Sequence, residues 1–259
     1  MNAEHPRGRL ILVPTPLDFG VRGHGPSPDL QEALPLGVIR QAAALSHWVA
    51  ESAKTARAFL KRVDAIVPLV QPLQALSVVE LPRPAKGAKH AVPADLAALL
   101  APVLTGHDLG LVSEAGLPAV ADPGAALVQA AHGLGIAVLP LAGASSLLLA
   151  LAASGLNGQS FAFVGYLPVE EAARASRIRE LETLSRRAGQ AQLAIETPYR
   201  NPALLATLLA NLQPATRLSV SCGLTLPDGW TRSDSVAAWR TRTVQLPTDV
   251  PAVFAFQAG

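Results

Sequence analysis

The 259-residue chain has a formal net charge of +2; 50% of its residues are hydrophobic and 15% are charged. This composition argues against a disordered chain, and the charge is far from the Lys and Arg excess of dedicated nucleic-acid-binding proteins. Its one cysteine, Cys222, cannot form an internal disulfide or a Cys-rich zinc site, so we expect a reducing compartment, the cytoplasm.

The sequence predicts neither a signal peptide nor a membrane span. The apolar run at residues 10–13 is too short for the core of a signal peptide. Residues 136–156 are long and apolar enough to resemble a span, but they contain Pro140 and Gly143 and lack flanking basic clusters. We expect a strand, a turn and a buried helix there, and no contact with a membrane.

Short aliphatic runs alternate with longer Ala- and Leu-rich segments, a pattern typical of parallel strands joined by helices. The strands predicted first along the chain are residues 9–13, 48–51, 76–81, 109–112 and 136–139. Residues 65–70 compete for the third position, but Pro68 and Pro72 would interrupt a central strand. The helices predicted in this part are residues 36–47, 52–62 and 93–104. Asp122, which precedes Pro123, is predicted to cap the next helix.

The pattern restarts after Gly143, which predicts two domains, residues 1–142 and residues 143–259. The helices predicted in the second domain are residues 144–153, 170–187 and 202–212. Its predicted strands are residues 161–165, 192–196, 217–221 and 252–256. The predicted fold class is therefore α/β, with a doubly wound, mostly parallel sheet first and a smaller mixed sheet with helices second.

Four loops that follow predicted strands are candidate ligand sites, because doubly wound sheets bind ligands beyond the carboxyl ends of their strands. These loops are residues 13–16, 113–118, 140–146 and 196–201. The first loop has no GxGxxG and no Walker lysine, which disfavours dinucleotide and nucleoside triphosphate sites. Small residues in the second and third would let backbone amides approach a ligand closely. An ordinary strand end and a domain hinge are the structural alternatives for these two loops.

Taken in order, these loops resemble those of the tetrapyrrole methylase superfamily, the class III S-adenosylmethionine-dependent methyltransferases. Within it, they are most similar to the 16S ribosomal RNA 2'-O-ribose (cytidine) methyltransferase family. The matching strings are Leu12-Val13-Pro14-Thr15-Pro16, Leu111-Val112-Ser113-Glu114-Ala115-Gly116-Leu117-Pro118, Asp122-Pro123-Gly124, Val138-Leu139-Pro140-Leu141-Ala142-Gly143-Ala144-Ser145-Ser146, Phe163-Val164-Gly165-Tyr166-Leu167-Pro168 and Ile195-Glu196-Thr197. The resemblance extends over nearly the whole chain.

The resemblance implies a homodimer of two-domain α/β subunits that binds S-adenosylmethionine in a cleft between the domains. The residues that it places against this cofactor are Pro14, Glu114, Ala115, Gly116, Val120, Ala144, Ser145, Pro198, Leu224 and Pro251. The methyl acceptor that it implies is RNA of the small ribosomal subunit. Glu51 and Glu196 are the candidates for a catalytic base, and Lys54 or Arg200 would hold an anion beside them.

RNA binding predicts a basic face near the cofactor. The residues expected on it are Arg83, Lys86, Lys89, Arg174, Arg177 and Arg179. A solvated helix and loop is the structural alternative for these charges. No metal site is expected from the sequence.

Three departures from the family keep other functions open. Residues 52–55 replace an acidic residue and a Thr-Arg-His-like string, Cys222 and Gly223 replace an Arg-Glu pair, and Leu117 replaces the aspartate of the tetrapyrrole branch. The alternatives are methylation of a tetrapyrrole or another small molecule, and a protein that binds S-adenosylmethionine without turnover.

Overall fold

The computed structural model describes residues 7–17, 29–82 and 96–259. These residues form two compact units, of which the first ends at Ala144 and the second contains residues 145–259. The domain limits given above, 1–142 and 143–259, stay a prediction. No helix in the described ranges has the length and hydropathy that crossing a membrane requires.

The first unit contains a five-stranded sheet in which every pair of neighbouring strands is parallel. Its strands are β1 (Arg9–Leu12), β2 (His47–Ala50), β3 (Ser77–Glu80), β4 (Leu109–Val112) and β5 (Ala137–Pro140), in the order β3-β2-β4-β1-β5. The preference for residues 76–81 over 65–70 as the third strand is confirmed. Because all five strands are parallel, their carboxyl ends lie at one edge of the sheet.

The helices of the first unit pack around this sheet. They are α1 (Leu30–Ala33), α2 (Leu36–Ala43), α3 (Ala53–Asp64), α4 (Leu96–Leu99), α5 (Ala101–Leu104) and α6 (Ala125–Gly133). The prediction of a single helix at residues 93–104 is wrong in its described part, because the helix is interrupted at Leu100 and forms two short helices, α4 and α5. Pro102 explains the break, since it has no amide hydrogen to donate to the preceding turn. Residues 93–95 lie outside the described ranges.

The capping role predicted for Asp122 is also wrong. Helix α6 begins at Ala125, and Gly124 occupies its N-cap with φ 133° and no side-chain hydrogen bond. Pro123 and Gly124, the latter with a positive φ, separate Asp122 from the helix, so Asp122 does not occupy the capping position. Ser52, by contrast, caps α3 by accepting a hydrogen bond from the Thr55 amide.

The second unit contains a mixed five-stranded sheet with helices, and the α/β fold class is confirmed. Its elements are α7 (Ser146–Ser154), β6 (Phe161–Tyr166), α8 (Glu171–Ala188), β7 (Ala191–Glu196), α9 (Asn201–Asn211), β8 (Arg217–Cys222), β9 (Trp230–Ser235), α10 (Val236–Arg240) and β10 (Ala252–Gln257). The strand order is β6-β7-β10-β8-β9, and only β6 and β7 pair in parallel. The second sheet has as many strands as the first, because β9 was not predicted.

Strand β4 packs directly against β2 through a residue without a side chain. Gly110 pairs with Trp48, whose side chain is buried in the core of the first unit. A Cβ atom on Gly110 would lie 2.5 Å from Cε3 of the indole ring. The indole therefore occupies the space that any other residue at position 110 would need.

We predict that Gly110→Ala destabilises the first unit by about 1–3 kcal/mol, because the added methyl group overpacks a filled core. Thermal denaturation followed by circular dichroism measures the effect as a lower Tm. Gly37→Ala in α2 is the matched control, since no atom lies within 4 Å of its added methyl group. The control should keep or raise the Tm, because alanine favours a helix. Equal Tm changes in the two variants would contradict this account of the core.

Candidate active site

The loops that follow β1, β2 and β4 are tied together by hydrogen bonds at the carboxyl edge of the first sheet. Thr15 and Gly116 exchange two backbone hydrogen bonds, of 2.9 and 3.1 Å. The Glu51 amide donates to the Val112 carbonyl at 3.1 Å, and Glu51 Oε2 accepts from the Glu114 amide at 3.1 Å. Glu51 thus joins the end of β2 to the loop after β4.

Two glycines let these loops approach each other closely. A Cβ atom on Gly143 would lie 2.3 Å from Cβ and Cγ of the Pro14 ring, so no side chain fits between the loops after β1 and β5. Gly116 has φ +78°, and a Cβ there would lie 3.3 Å from Leu17 and 3.6 Å from the Ala144 carbonyl. Backbone and small side chains therefore line this edge, as a site that holds a ligand mainly through backbone groups requires.

The segment before α6 carries unusual backbone strain. Ala119 and Ala121 both have φ 66°, a conformation that L-residues with a Cβ rarely adopt. Such residues cost about 1–3 kcal/mol each and often occur at functional sites. Val120, which the resemblance places against the cofactor, lies exposed between the two alanines.

The carboxylates of Glu51, Glu114 and Asp122 interact electrostatically at this edge. Burial, together with the negative charges of Glu51 and Glu114, raises the pKa of Asp122 from 3.8 to about 7. The Ser113 hydroxyl lies close enough to the Asp122 carboxyl to oppose part of this rise, and the Ser113 side chain is buried. Sequence reasoning took Asp122 for a helix cap and missed this role, because the neighbours that perturb it are set by the tertiary fold.

The remaining candidates in the first unit lie beside this cluster in the chain. Lys54 occupies the first turn of α3, directly after β2; it is exposed and forms no ion pair with any described residue. Ala115 is half-buried in the turn between Glu114 and Gly116. Among the residues that the structure describes, no three His, Cys, Asp or Glu side chains are arranged to hold a metal ion.

The candidates in the second unit also gather at one edge of their sheet. Ala252, which begins β10, pairs with Glu196 at the end of β7 and with Cys222 at the end of β8. The Gly223 amide donates to the Pro251 carbonyl at 3.0 Å. This register places the chain segments that contain Pro198, Leu224 and Pro251 at one edge of the second sheet. Ser145 precedes α7 at its N-cap, where its side chain makes no capping hydrogen bond.

Both carboxylate oxygens of Glu196 have partners among neighbouring residues. Its Oε2 forms an ion pair with the Arg200 guanidinium at 3.0 Å, and the two side chains are 2% and 21% exposed, respectively. Its Oε1 accepts hydrogen bonds from the Thr197 amide at 2.8 Å and the Thr197 hydroxyl at 3.2 Å. The adjacent Tyr199 is exposed. This geometry suits Glu196 to holding Arg200 in place more than to taking a proton.

The prediction that Arg174 lies on an exposed basic face is wrong. This side chain is only 8% exposed, and it donates to Thr207 Oγ1 at 3.1 Å and to the Val169 carbonyl at 2.8 Å. The amphipathic pattern placed it on the solvated side of α8, but its guanidinium satisfies buried acceptors instead. Arg177 and Arg179 are exposed and bond to Glu180 and Asn211. Arg83, Lys86 and Lys89 lie outside the described residues.

Comparisons of sequence place the chain near one group of curated proteins. No protein-family profile matches it. It is 46% identical over 79 residues to "Ribosomal RNA small subunit methyltransferase I" of Xylella fastidiosa (strain Temecula1), a match that covers 30% of this chain and 29% of the relative. It is 35% identical over 127 residues to the Synechocystis sp. protein of the same name, covering 49% and 44%. The matches thus span less than half of these curated relatives.

Comparisons of structure extend over almost the whole chain. The methyltransferase CobJ superposes with a TM-score of 0.56 at 18% identity, covering 97% of this chain and 95% of that one. The cobalt precorrin-4 methyltransferase CbiF superposes with a TM-score of 0.51 at 13% identity, covering 96% and 94%. At these identities the likeness establishes the fold alone. The curated relatives and this fold agree with the resemblance found in the loops.

Proposed function

We propose that this protein is an S-adenosylmethionine-dependent methyltransferase that methylates RNA, with a ribose 2'-hydroxyl of 16S ribosomal RNA as acceptor. The observation that carries the proposal is the match, at up to 46% identity, to relatives named ribosomal RNA small subunit methyltransferase I. Its fold, which CobJ and CbiF also have, supports methyl transfer as the reaction.

The cofactor would be held largely by backbone groups of the first unit. We assign contact with it to Pro14, the turn formed by Glu114, Ala115 and Gly116, and to Val120 and Ala144. The crowding of Gly116 and Gly143 against neighbouring loops supports this, since such turns expose their amides to a ligand. We propose the same role for four residues of the second unit, namely Ser145, Pro198, Leu224 and Pro251. When bound, the cofactor supplies an electrophilic methyl group on a positively charged sulfur.

The chain's own residues would then orient the acceptor hydroxyl and remove its proton. Correct orientation of reacting groups is worth about 7–11 kcal/mol, and a positioned base contributes roughly a hundred- to ten-thousand-fold. Glu51 is a candidate base because it lies at the carboxyl edge beside the loop after β4. Lys54 follows it on α3 as a candidate to hold an anion. Glu196 acts through Arg200, whose guanidinium it fixes for contact with a phosphate.

Labelled methyl transfer tests this function. The protein is incubated with radiolabelled S-adenosylmethionine and with 16S ribosomal RNA transcribed in vitro, either free or assembled into small subunits. We expect label in the RNA, and mass spectrometry of its nuclease digest should find a 2'-O-methylated nucleoside. Absence of label from both RNA substrates would contradict the proposed acceptor.

Tetrapyrrole methylation is the second candidate, favoured by the fold likeness to the cobalt precorrin-4 methyltransferase. A parallel reaction with a porphyrinogen decides between the two: label on the porphyrinogen alone would replace RNA as the substrate class. Binding of the cofactor without transfer to either acceptor would identify a catalytically lapsed protein.

We further propose that the protein is a cytoplasmic homodimer. Both proposals rest on the family resemblance and on the predicted reducing compartment. Sedimentation equilibrium of the purified protein tests the dimer, and a mass equal to a single chain at micromolar concentration would contradict it.

We predict that Gly143→Ala weakens S-adenosylmethionine binding by at least about tenfold. The added methyl group would overlap the Pro14 ring and push apart the two loops that contact the cofactor in this proposal. Isothermal titration calorimetry measures the affinity. Gly158→Ala is the control, because nothing lies within 4 Å of its added methyl group, and it should bind like the wild type. An unchanged affinity in Gly143→Ala would remove this loop from the cofactor site.

We predict that Glu196→Gln lowers kcat/KM for RNA by about ten- to a hundredfold and leaves the affinity for S-adenosylmethionine within about threefold. Losing a charged hydrogen bond costs about 1.5–3 kcal/mol and releases Arg200 from its fixed position. Steady-state kinetics with varied RNA measures the loss. Arg177→Gln, which breaks the exposed ion pair with Glu180, is the control and should have little effect. Equal losses in both variants would contradict a positioning role.

A further inference from the structure

The two tyrosines of the chain lie at the same edge of the second sheet, and both are exposed. Tyr166 is the last residue of β6 and is 59% exposed. Tyr199 is 68% exposed and lies in the 3₁₀ turn Pro198–Arg200, shortly after the end of β7. Because β6 and β7 pair in parallel, their carboxyl ends lie side by side, on strands about 4.8 Å apart. Two exposed rings at one edge, in a chain with only 4% aromatic residues, form a candidate surface for a planar partner.

A β-bulge sets the direction of Tyr166. Phe163 pairs with Leu193. The next pair along the strands joins Tyr166 to Ile195, so β6 has one more residue than β7 over this interval. Gly165 has φ +71° in the bulge, and a Cβ on it would meet no atom within 4 Å, so the backbone angle and not crowding favours glycine there. Bulges often lie beside functional sites, where they redirect a side chain.

The loop after Tyr166 is held in place by a buried guanidinium. Arg174, on α8, donates to the Val169 carbonyl at 2.8 Å and to the Pro168 carbonyl at 3.4 Å. Its Nε donates to Thr207 Oγ1 on α9 at 3.1 Å, which ties the loop to both helices. A binding surface that is fixed in advance loses little conformational entropy when its ligand arrives.

The turn that contains Tyr199 is fixed by a second ion pair and a backbone hydrogen bond. The Arg200 amide donates to the Thr197 carbonyl at 2.9 Å, and the Arg200 guanidinium pairs with the buried Glu196 carboxylate at 3.0 Å. The Arg200 side chain keeps part of its surface exposed, so it has room for an anion. Aromatic rings beside a fixed arginine are suited to a nucleotide, because bases stack on rings and phosphates pair with guanidinium groups.

We propose that Tyr166 and Tyr199 form a stacking platform for unpaired bases of the RNA, next to the phosphate that Arg200 contacts. The inference rests on the proposed function, in which RNA is the acceptor, and it names the part of the RNA that the second unit binds. Stacking requires only the π-face that every base has, so the platform accepts single-stranded RNA of varied sequence. Bases inside a duplex are not accessible to it.

Fluorescence anisotropy with labelled oligomers tests the platform. The probes are an unstructured RNA of about ten nucleotides and an abasic oligomer of equal length, which keeps the phosphates and lacks the bases. We expect the wild type to bind the RNA more tightly than the abasic oligomer. Tyr166→Ala and Tyr199→Ala should each weaken binding of the RNA by about five- to a hundredfold, and should leave binding of the abasic oligomer within about twofold.

Matched variants separate stacking from effects on folding. Tyr166→Phe and Tyr199→Phe keep the ring, so their affinity for the RNA should stay within about threefold of the wild type. Phe161→Ala is the control for loss of an exposed ring, because Phe161 is 40% exposed at the opposite end of β6, and it should bind RNA like the wild type. The slope of log affinity against log salt concentration should be unchanged in both alanine variants, since neither loses a phosphate contact.

Unchanged RNA affinity in both alanine variants would overturn the inference, and so would equal losses for the RNA and the abasic oligomer. Weaker calorimetric binding of S-adenosylhomocysteine, with RNA binding intact, would assign the rings to the cofactor instead. A loss confined to the binding of uroporphyrin III would assign them to a tetrapyrrole, which also overturns the nucleobase platform. If the wild type binds neither oligomer, the proposed RNA acceptor itself is wrong and the inference falls with it.

Discussion

The parallel pairing of β1, β2, β4 and β5 is the constraint on which the candidate active site depends. It brings the ends of four strands to one edge, where hydrogen bonds of Thr15, Gly116 and Glu51, one of them accepted by the Glu51 carboxylate, tie together the loops after β1, β2 and β4. The same pairing requires glycine at position 110, opposite the buried Trp48. Residues far apart in the sequence become neighbours only because this register holds.

The two units hold charge in different ways. In the second unit, the buried Glu196 carboxylate is matched by Arg200 and by two hydrogen bonds from Thr197, which fixes a guanidinium in place. In the first unit, Glu114 and Asp122 gather without a described cation beside them, and the pKa of Asp122 rises. A cation thus matches the buried carboxylate of the second unit, whereas burial and neighbouring negative charges raise the pKa of Asp122 in the first unit. Ala119 and Ala121, which have positive φ, precede Asp122 in the same segment.

Local patterns predicted much of the fold, and tertiary effects account for the rest. The aliphatic run at residues 109–112 predicted β4, and the helical pattern of residues 52–62 predicted α3 to within two residues at either end. Strand β9 was missed because its sequence, Trp-Thr-Arg-Ser-Asp-Ser, has no apolar alternation and is stabilised by pairing with β8. Arg174 looked solvated because the helical pattern does not reveal the buried acceptors around it. For the same reason, no sequence pattern could reveal the perturbed Asp122, whose neighbours come from two separate strands.

The central claim is that the edge built by the parallel strands of the first unit binds S-adenosylmethionine. A crystal structure of the protein grown with S-adenosylhomocysteine tests it most directly. The account predicts ligand density against Pro14, the turn from Glu114 to Gly116, and Ala144. Density for the ligand at any other place on the chain, with this edge left free, would contradict it.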